Sequence, residues 1–297
     1  MGFDGVRDEI ARRVRTGVAG RPDQAAARRA ALDRPGERWF DDGSPIRRVH
    51  GDSSMFVGGL RALLLQTLHP LAMAGVAQHS DYRHDPWGRL QRTADFLAAT
   101  TFGPIDEAER AVATVRAVHE RVTGVAADGR SYAANDPHLL RWVHLAEIDS
   151  FLRAHQRYGA DPLTPAEADR YVADAAVVAR ALGVPAPPTS VRGLRDQLEG
   201  FRPELHGTPE ARDVARYLLV QPPMPPAARA PYAVLSAAAV TLLPRWARRP
   251  LRLPWLPVFE AVAVRPAGDA LTRTLRWALA RPPEPAADAA ALTPSAS

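Results

Sequence analysis

Nine histidines and no cysteine set the limits of the chemistry open to this 297-residue chain. Without cysteine there is no disulfide framework, no thiolate nucleophile, no zinc–cysteine site and no thiolate ligand for iron. His69, His79, His119 and His144 lie within or beside apolar runs. His119 matters most, because it falls in a stripe with Val112, Val115, Val118 and Val122 at helical spacing. A neutral imidazole in an apolar wall can ligate haem iron through one nitrogen while the other donates a hydrogen bond that fixes the ring. The same pattern also suits an ordinary core histidine, and spacing alone does not separate the two. His50, His138, His155 and His206 fall near expected helix ends or on polar faces and carry no expected role.

A second constellation is Arg89, Arg92 and Thr93. Arg89 and Thr93 are four apart and share one helical face, with Arg92 flanking it. A guanidinium beside a hydroxyl can hold a carboxylate or a bound oxygen species. A surface arginine and a threonine inside a helix would look the same in sequence. Other chemistries lack their residues. There is no GxSxG elbow, no phosphate loop, no GxGxxG, no HExxH and no Glu-x-x-His.

These side chains need helices to position them, and the sequence supplies helix punctuation throughout. The apolar run from Ser53 to Gln78 suits a buried helix that Pro70 kinks or breaks after His69. A helix is expected from Pro86 to about Thr101. The next is expected to be capped by Asp106, with Glu109 three residues on, and ended by Gly124. Asp136-Pro137 starts a helix running to about Arg157, Thr164-Pro165 starts one ending near Gly183, and Thr208-Pro209 starts a shorter one. Beyond that, proline breaks apolar helical runs. No stretch sustains a period of two. The fold class is therefore all-α, an irregular multi-helix bundle, with one domain over 1–281 and a disordered Pro-, Ala- and Ser-rich tail over 282–297.

All 38 basic residues are arginine, and the net charge is +5. They are scattered along helical faces rather than gathered in a tract, so no nucleic-acid partner is expected. The first residues have acidic groups and no apolar core, so they do not read as a secretory signal. The apolar stretch from Pro231 to Pro244 is too short to span a bilayer. The expectation is a cytoplasmic protein. The segment PRWARRPLRLPW, Pro244 to Trp255, mixes arginine with tryptophan in a way that suits peripheral contact with lipid headgroups.

Three segments in order resemble a known family. HPLAMAGVAQHSDYRHDPWGRLQRTADFLAATTFG (His69 to Gly103), VRAVHERVTG (Val115 to Gly124) and YAANDPHLLRWVHLAEIDSF (Tyr132 to Phe151) are similar to the family of latex-clearing rubber oxygenases and the fungal MpaB oxygenase, over roughly residues 50 to 260. The resemblance implies an all-α bundle enclosing a pocket for one haem b, with His119 as the proximal iron ligand. It implies a haem-dependent oxygenase that uses dioxygen to oxidise or cleave double bonds in an apolar, isoprenoid-like substrate. Arg89 and Thr93 match the motif expected beside the oxygen pocket, and Arg92 and His144 are expected to contact the cofactor. Some rubber oxygenases carry a lysine where Arg92 stands. Arginine stays protonated and is a poor ligand, so the sixth iron position is expected to be open. Rubber oxygenases are also thought to use a carboxylate base near the haem; here Asp81 and Glu147 are the candidates. The rival readings are a non-catalytic haem-binding protein and a helical scaffold without a cofactor.

Overall fold

The structure, a computed structural model, describes residues 22–280 except 81, 82, 84, 222 and 223, together with Arg7. Asp81 and the tail at 282–297 lie outside the described residues. Helices are α1 (Pro22–Leu32), α2 (Pro45–His50), α3 (Met55–Gln66), α4 (Pro70–His79), α5 (Pro86–Phe102) and α6 (Ile105–His119). A two-stranded antiparallel hairpin, β1 (Thr123–Val125) and β2 (Ser131–Ala133), follows with Gly124 opposite Tyr132. Then come α7 (Pro137–Tyr158), α8 (Pro165–Leu182), α9 (Val191–Gly200), α10 (Pro209–Val220) and α11 (Pro226–Leu242). Two short helices, α12 (Arg245–Arg248) and α13 (Pro257–Phe259), and a π-helical turn (Glu260–Val264) lead into α14 (Arg265–Leu279). The fold is all-α, as expected.

The long helix α7 is the axis of the bundle, and α3 packs along it. Gly58 makes the close approach possible: a Cβ there would lie 3.0 Å from the Phe151 ring and 3.2 Å from the Ala154 methyl. Around this pair, Leu64, Leu65, Leu68, Trp142, Leu145 and Tyr171 form the centre of the core. A buried polar network crosses it. Arg61 donates to Asp149 Oδ2 (2.8 Å), to Ser150 Oγ (2.6 Å) and to the Leu242 carbonyl (3.0 Å). Asp149 also accepts from Arg153 (2.8 Å), and Ser150 donates to the Ala146 carbonyl.

Proline and cap residues act where the sequence puts them. Pro70 ends the first apolar run, and α3 and α4 meet at a bend of 105°. Thr164 and Glu167 form a reciprocal capping box on α8, and Gly183 closes that helix in the left-handed conformation (φ 98°). Asp85, Asp136 and Thr208 cap α5, α7 and α10 through their side chains.

Two expectations need correction. Asp106 does not cap α6: Pro104 takes the N-cap position, and the Asp106 carboxylate instead pairs with Arg34 and Arg110. Gly124 does not end that helix, which stops at His119; Gly124 sits in β1, where a Cβ would meet the Tyr132 hydroxyl at 2.5 Å. Helix α11 runs unbroken through Pro231. The proline lies near the helix start, where the Ala227 carbonyl it would crowd belongs to an exposed residue that water can serve.

Candidate functional site

Helices α5 and α6 form a hairpin around a two-residue corner at Gly103 and Pro104. The corner is pinned by the Ile105 amide donating to the Glu37 carbonyl (2.8 Å) and by the Arg38 guanidinium donating to the Phe102 carbonyl. Arg89 lies thirteen residues before the end of α5, and His119 fourteen residues after the start of α6. At 1.5 Å per residue both stand about 20 Å from the corner, at the same open end of the hairpin. Helix α4 ends there too. Its cap residue Ser80 accepts a hydrogen bond from Arg89, and His79 Nε2 lies 3.0 Å from the Thr123 carbonyl just beyond α6. The β-hairpin straps the two together: Tyr132 donates to Gln78 Oε1 (2.7 Å), and Gln78 donates to the Val125 carbonyl (2.9 Å).

His119 is the last residue of α6 and is half-buried. Burial pushes its pKa down, so the imidazole is neutral at physiological pH. Among the described residues its ring nitrogens have no hydrogen-bond partner. The valine stripe around it is only partly covered. Val112 is buried, but Val118 is 44 % exposed, because α5 and α8 reach only part of the helix surface.

The arginine–threonine motif splits. Arg89 is largely enclosed, and burial together with the nearby charge of Arg92 lowers its pKa. Arg92 is exposed and pairs with Asp85 (3.2 Å). Thr93 is also exposed, and its hydroxyl donates back to the Arg89 carbonyl (3.1 Å). Helical spacing brings Arg89 to the same open end as His119; it does not turn Arg92 or Thr93 inward with it.

His144 and Glu147 are one turn apart on α7. Burial pushes the His144 imidazole down to about 4 and the Glu147 carboxyl up to about 7. His144 Nε2 is buried with no hydrogen-bond partner. Glu147 makes no hydrogen bond among the described residues. Both sit deep among protein atoms yet keep some accessible surface. His50, by contrast, is satisfied: its Nδ1 lies 2.8 Å from the Thr101 hydroxyl, its ring packs edge-on against Phe151 and Tyr171, and burial drives its pKa to about 3. His155 is also buried, with Nε2 3.0 Å from the Asp161 carbonyl.

Two surface cavities lie elsewhere. One of about 450 Å³ runs along the outer side of α6, between Trp39, Val112, Arg116 and Ala181. The other, about 240 Å³, lies beside His138, Phe201 and Glu204. There His69, His138 and Glu204 bring three donor atoms within 4.8 Å of one another. Sequence reasoning missed this cluster. Glu204 is 66 residues from His138, and no spacing rule links a histidine before a proline break to a carboxylate in a turn.

Residues 47–278 match the family described as ER-bound oxygenase mpaB/B′/rubber oxygenase, catalytic domain. The match covers most of the chain and includes His69, Arg89, His119 and His144. This chain belongs to that family. It therefore carries an oxygenase catalytic domain, a class whose chemistry implies a substrate and dioxygen. No curated protein and no solved structure shows significant similarity to it. The family description includes the words ER-bound, yet among the described residues no single helix is long and apolar enough to cross a membrane.

Proposed function

We propose that this oxygenase domain works with haem b, held through His119, and acts on double bonds of an apolar, isoprenoid-like substrate. The observation that carries the reading is the neutral, half-buried, unpartnered imidazole of His119 at the end of the α5–α6 hairpin that also holds the enclosed guanidinium of Arg89. An iron ligand needs an imidazole with a free nitrogen, and His119 has one. A haem carboxylate needs a cation, and Arg89 is enclosed beside Ser80, with Arg92 outside it on the same helix. An apolar macrocycle needs an apolar wall. Helix α4 offers Leu71, Ala74, Gly75 and Val76, none of them fully buried although the helix is strongly apolar.

Haem bound there would supply activation of dioxygen for attack on a carbon–carbon double bond. The protein's own part is positioning and proton handling. Arg89 directs negative charge, and the apolar face of α4 excludes water. Glu147, with a carboxyl near neutrality, can take up or release a proton at its carboxylate oxygen. His144 is one turn away, and its unpartnered Nε2 is free to bond a group that enters the interior. A side chain deep in the protein that keeps accessible surface and lacks partners is what a ligand-lined space produces.

The test is oxygen uptake and carbonyl product formation with polyisoprenoid and polyunsaturated lipids, in protein of known haem content. The expected result is uptake that falls at least tenfold in Glu147→Gln at unchanged haem content. A fully haem-loaded protein that consumes no oxygen across that panel would be a non-catalytic haem binder.

A further inference from the structure

The geometry points to a second, separate metal site in which His69, His138 and Glu204 bind one zinc-class divalent ion. His138 Nε2 lies 2.8 Å from Glu204 Oε2, and His69 Nε2 lies 3.4 Å from the same oxygen. Donors around a tetrahedral zinc at its usual bond lengths are about 3.3 Å apart. The three groups therefore need only small side-chain adjustments to hold an ion. Two imidazoles and one carboxylate are a donor set that suits zinc and its first-row neighbours better than magnesium or calcium.

His69 makes the case more than a surface cluster. It is 1 % exposed, and neither ring nitrogen has a hydrogen-bond partner. The Glu204 contact at 3.4 Å lies outside hydrogen-bond geometry. Burying an imidazole with both nitrogens unsatisfied is unfavourable, and an ion on Nε2 would satisfy one of them.

The surroundings fix all three donors. His69 is the N-cap of α4, and its carbonyl accepts from the Met73 amide (2.9 Å). The His138 ring stacks on Phe201 at 4.5 Å, and Phe201 packs against Trp142 at 5.4 Å. Glu204 ends a 3-10 turn, Arg202–Glu204, directly after Phe201. The next turn is tied down by the His206 amide donating to the Leu68 carbonyl (2.7 Å), one residue before His69. An ion here would clamp the α3–α4 break, the first turn of α7 and the end of α9. The 240 Å³ cavity opens beside His138 and Glu204 and leaves room for water or another ligand in a fourth position.

The experiment uses the full chain, freed of metal by chelation and titrated with zinc and, separately, with cobalt. Metal per chain is measured after desalting, and cobalt is followed by its visible ligand-field absorption. The expected result is one zinc per chain and a tetrahedral cobalt spectrum. Zinc affinity should fall at least tenfold in His138→Ala and in Glu204→Gln, both changes at half-exposed positions that the fold tolerates. A His79→Ala control should retain it. Zinc should bind equally to His119→Ala, so the result stands apart from the haem reading. No zinc uptake at micromolar concentration, or equal uptake by His138→Ala and Glu204→Gln, would overturn the site.

Discussion

Two parts of α7 treat buried polarity in opposite ways. Around Asp149 and Ser150, the charged and hydroxyl groups that enter the core answer one another. Arg61 reaches a carboxylate, a hydroxyl and a carbonyl, and Asp149 takes a second arginine. One turn earlier, His144 and Glu147 are pressed into the protein without hydrogen-bond partners, and both are shifted toward their neutral forms. A fold that can satisfy Arg61 so fully could have satisfied Glu147. The difference separates a part of the helix that holds the bundle together from a part shaped for something that enters it.

The comparison breaks most visibly at Arg61. Arg61→Ala leaves Asp149 buried with its main partner gone and should cost about 3–5 kcal/mol. Urea unfolding checks this, and a loss below about 1 kcal/mol would mean the network is not structural. The neighbouring Glu147→Gln should move stability the other way. A carboxyl whose folded pKa is raised from 4.5 to about 7 favours the protonated form. Its contribution is intact below pH 4.5 and is lost as pH rises through 7. Above that, Glu147→Gln should be more stable than the wild type by up to roughly 3 kcal/mol, with no gain at pH 4. A variant that is less stable at every pH would show that Glu147 is held by bonds rather than left without them.

A smaller effect is expected at the surface after α12. Of the arginines in the segment read as lipid-facing, Arg248 is buried, bonded to Glu260 (2.6 Å) and covered by Trp255. It anchors the turn rather than meeting phosphate. The turn in return displays Leu256, Val258, Phe259 and Val262 at 53–76 % exposure, flanked by exposed Arg252 and Arg265. Phe259→Ser with Val262→Ser should reduce sedimentation with anionic vesicles several-fold at low salt, while changing stability by less than about 0.5 kcal/mol. Equal sedimentation of both forms would remove this surface as a membrane contact.

Much of the scaffold was legible because local chemistry dictates it. Proline after Asp85, Asp136, Thr164 and Thr208 starts helices wherever it stands, and Pro70 stops one. The β-hairpin was not legible. Its strands are three residues each and are held from outside the hairpin by Gln78, which bonds Tyr132 and the Val125 carbonyl, and by His79. The capping-box spacing at Asp106 misled for a related reason: Arg34, seventy-two residues away, and Arg110 claim the carboxylate. For the candidate site, spacing alone left His119 and Arg89 open to ordinary core and surface roles, and it was the family resemblance that singled them out. Thr93 shares a helical face with Arg89 in sequence, yet it ends exposed because its neighbours cover only the arginine. The His69–His138–Glu204 cluster needed three separate segments to meet, which spacing cannot show.

The central claim is that His119 holds a haem. It is tested most directly by the ultraviolet–visible spectrum of the purified protein, as isolated and after adding haem, oxidised and reduced, beside His119→Ala. The account expects a Soret band that is lost or shifted in the variant, while the two proteins unfold at similar urea concentrations. A wild type that stays colourless after haem is added, or a spectrum unchanged by His119→Ala, would contradict it.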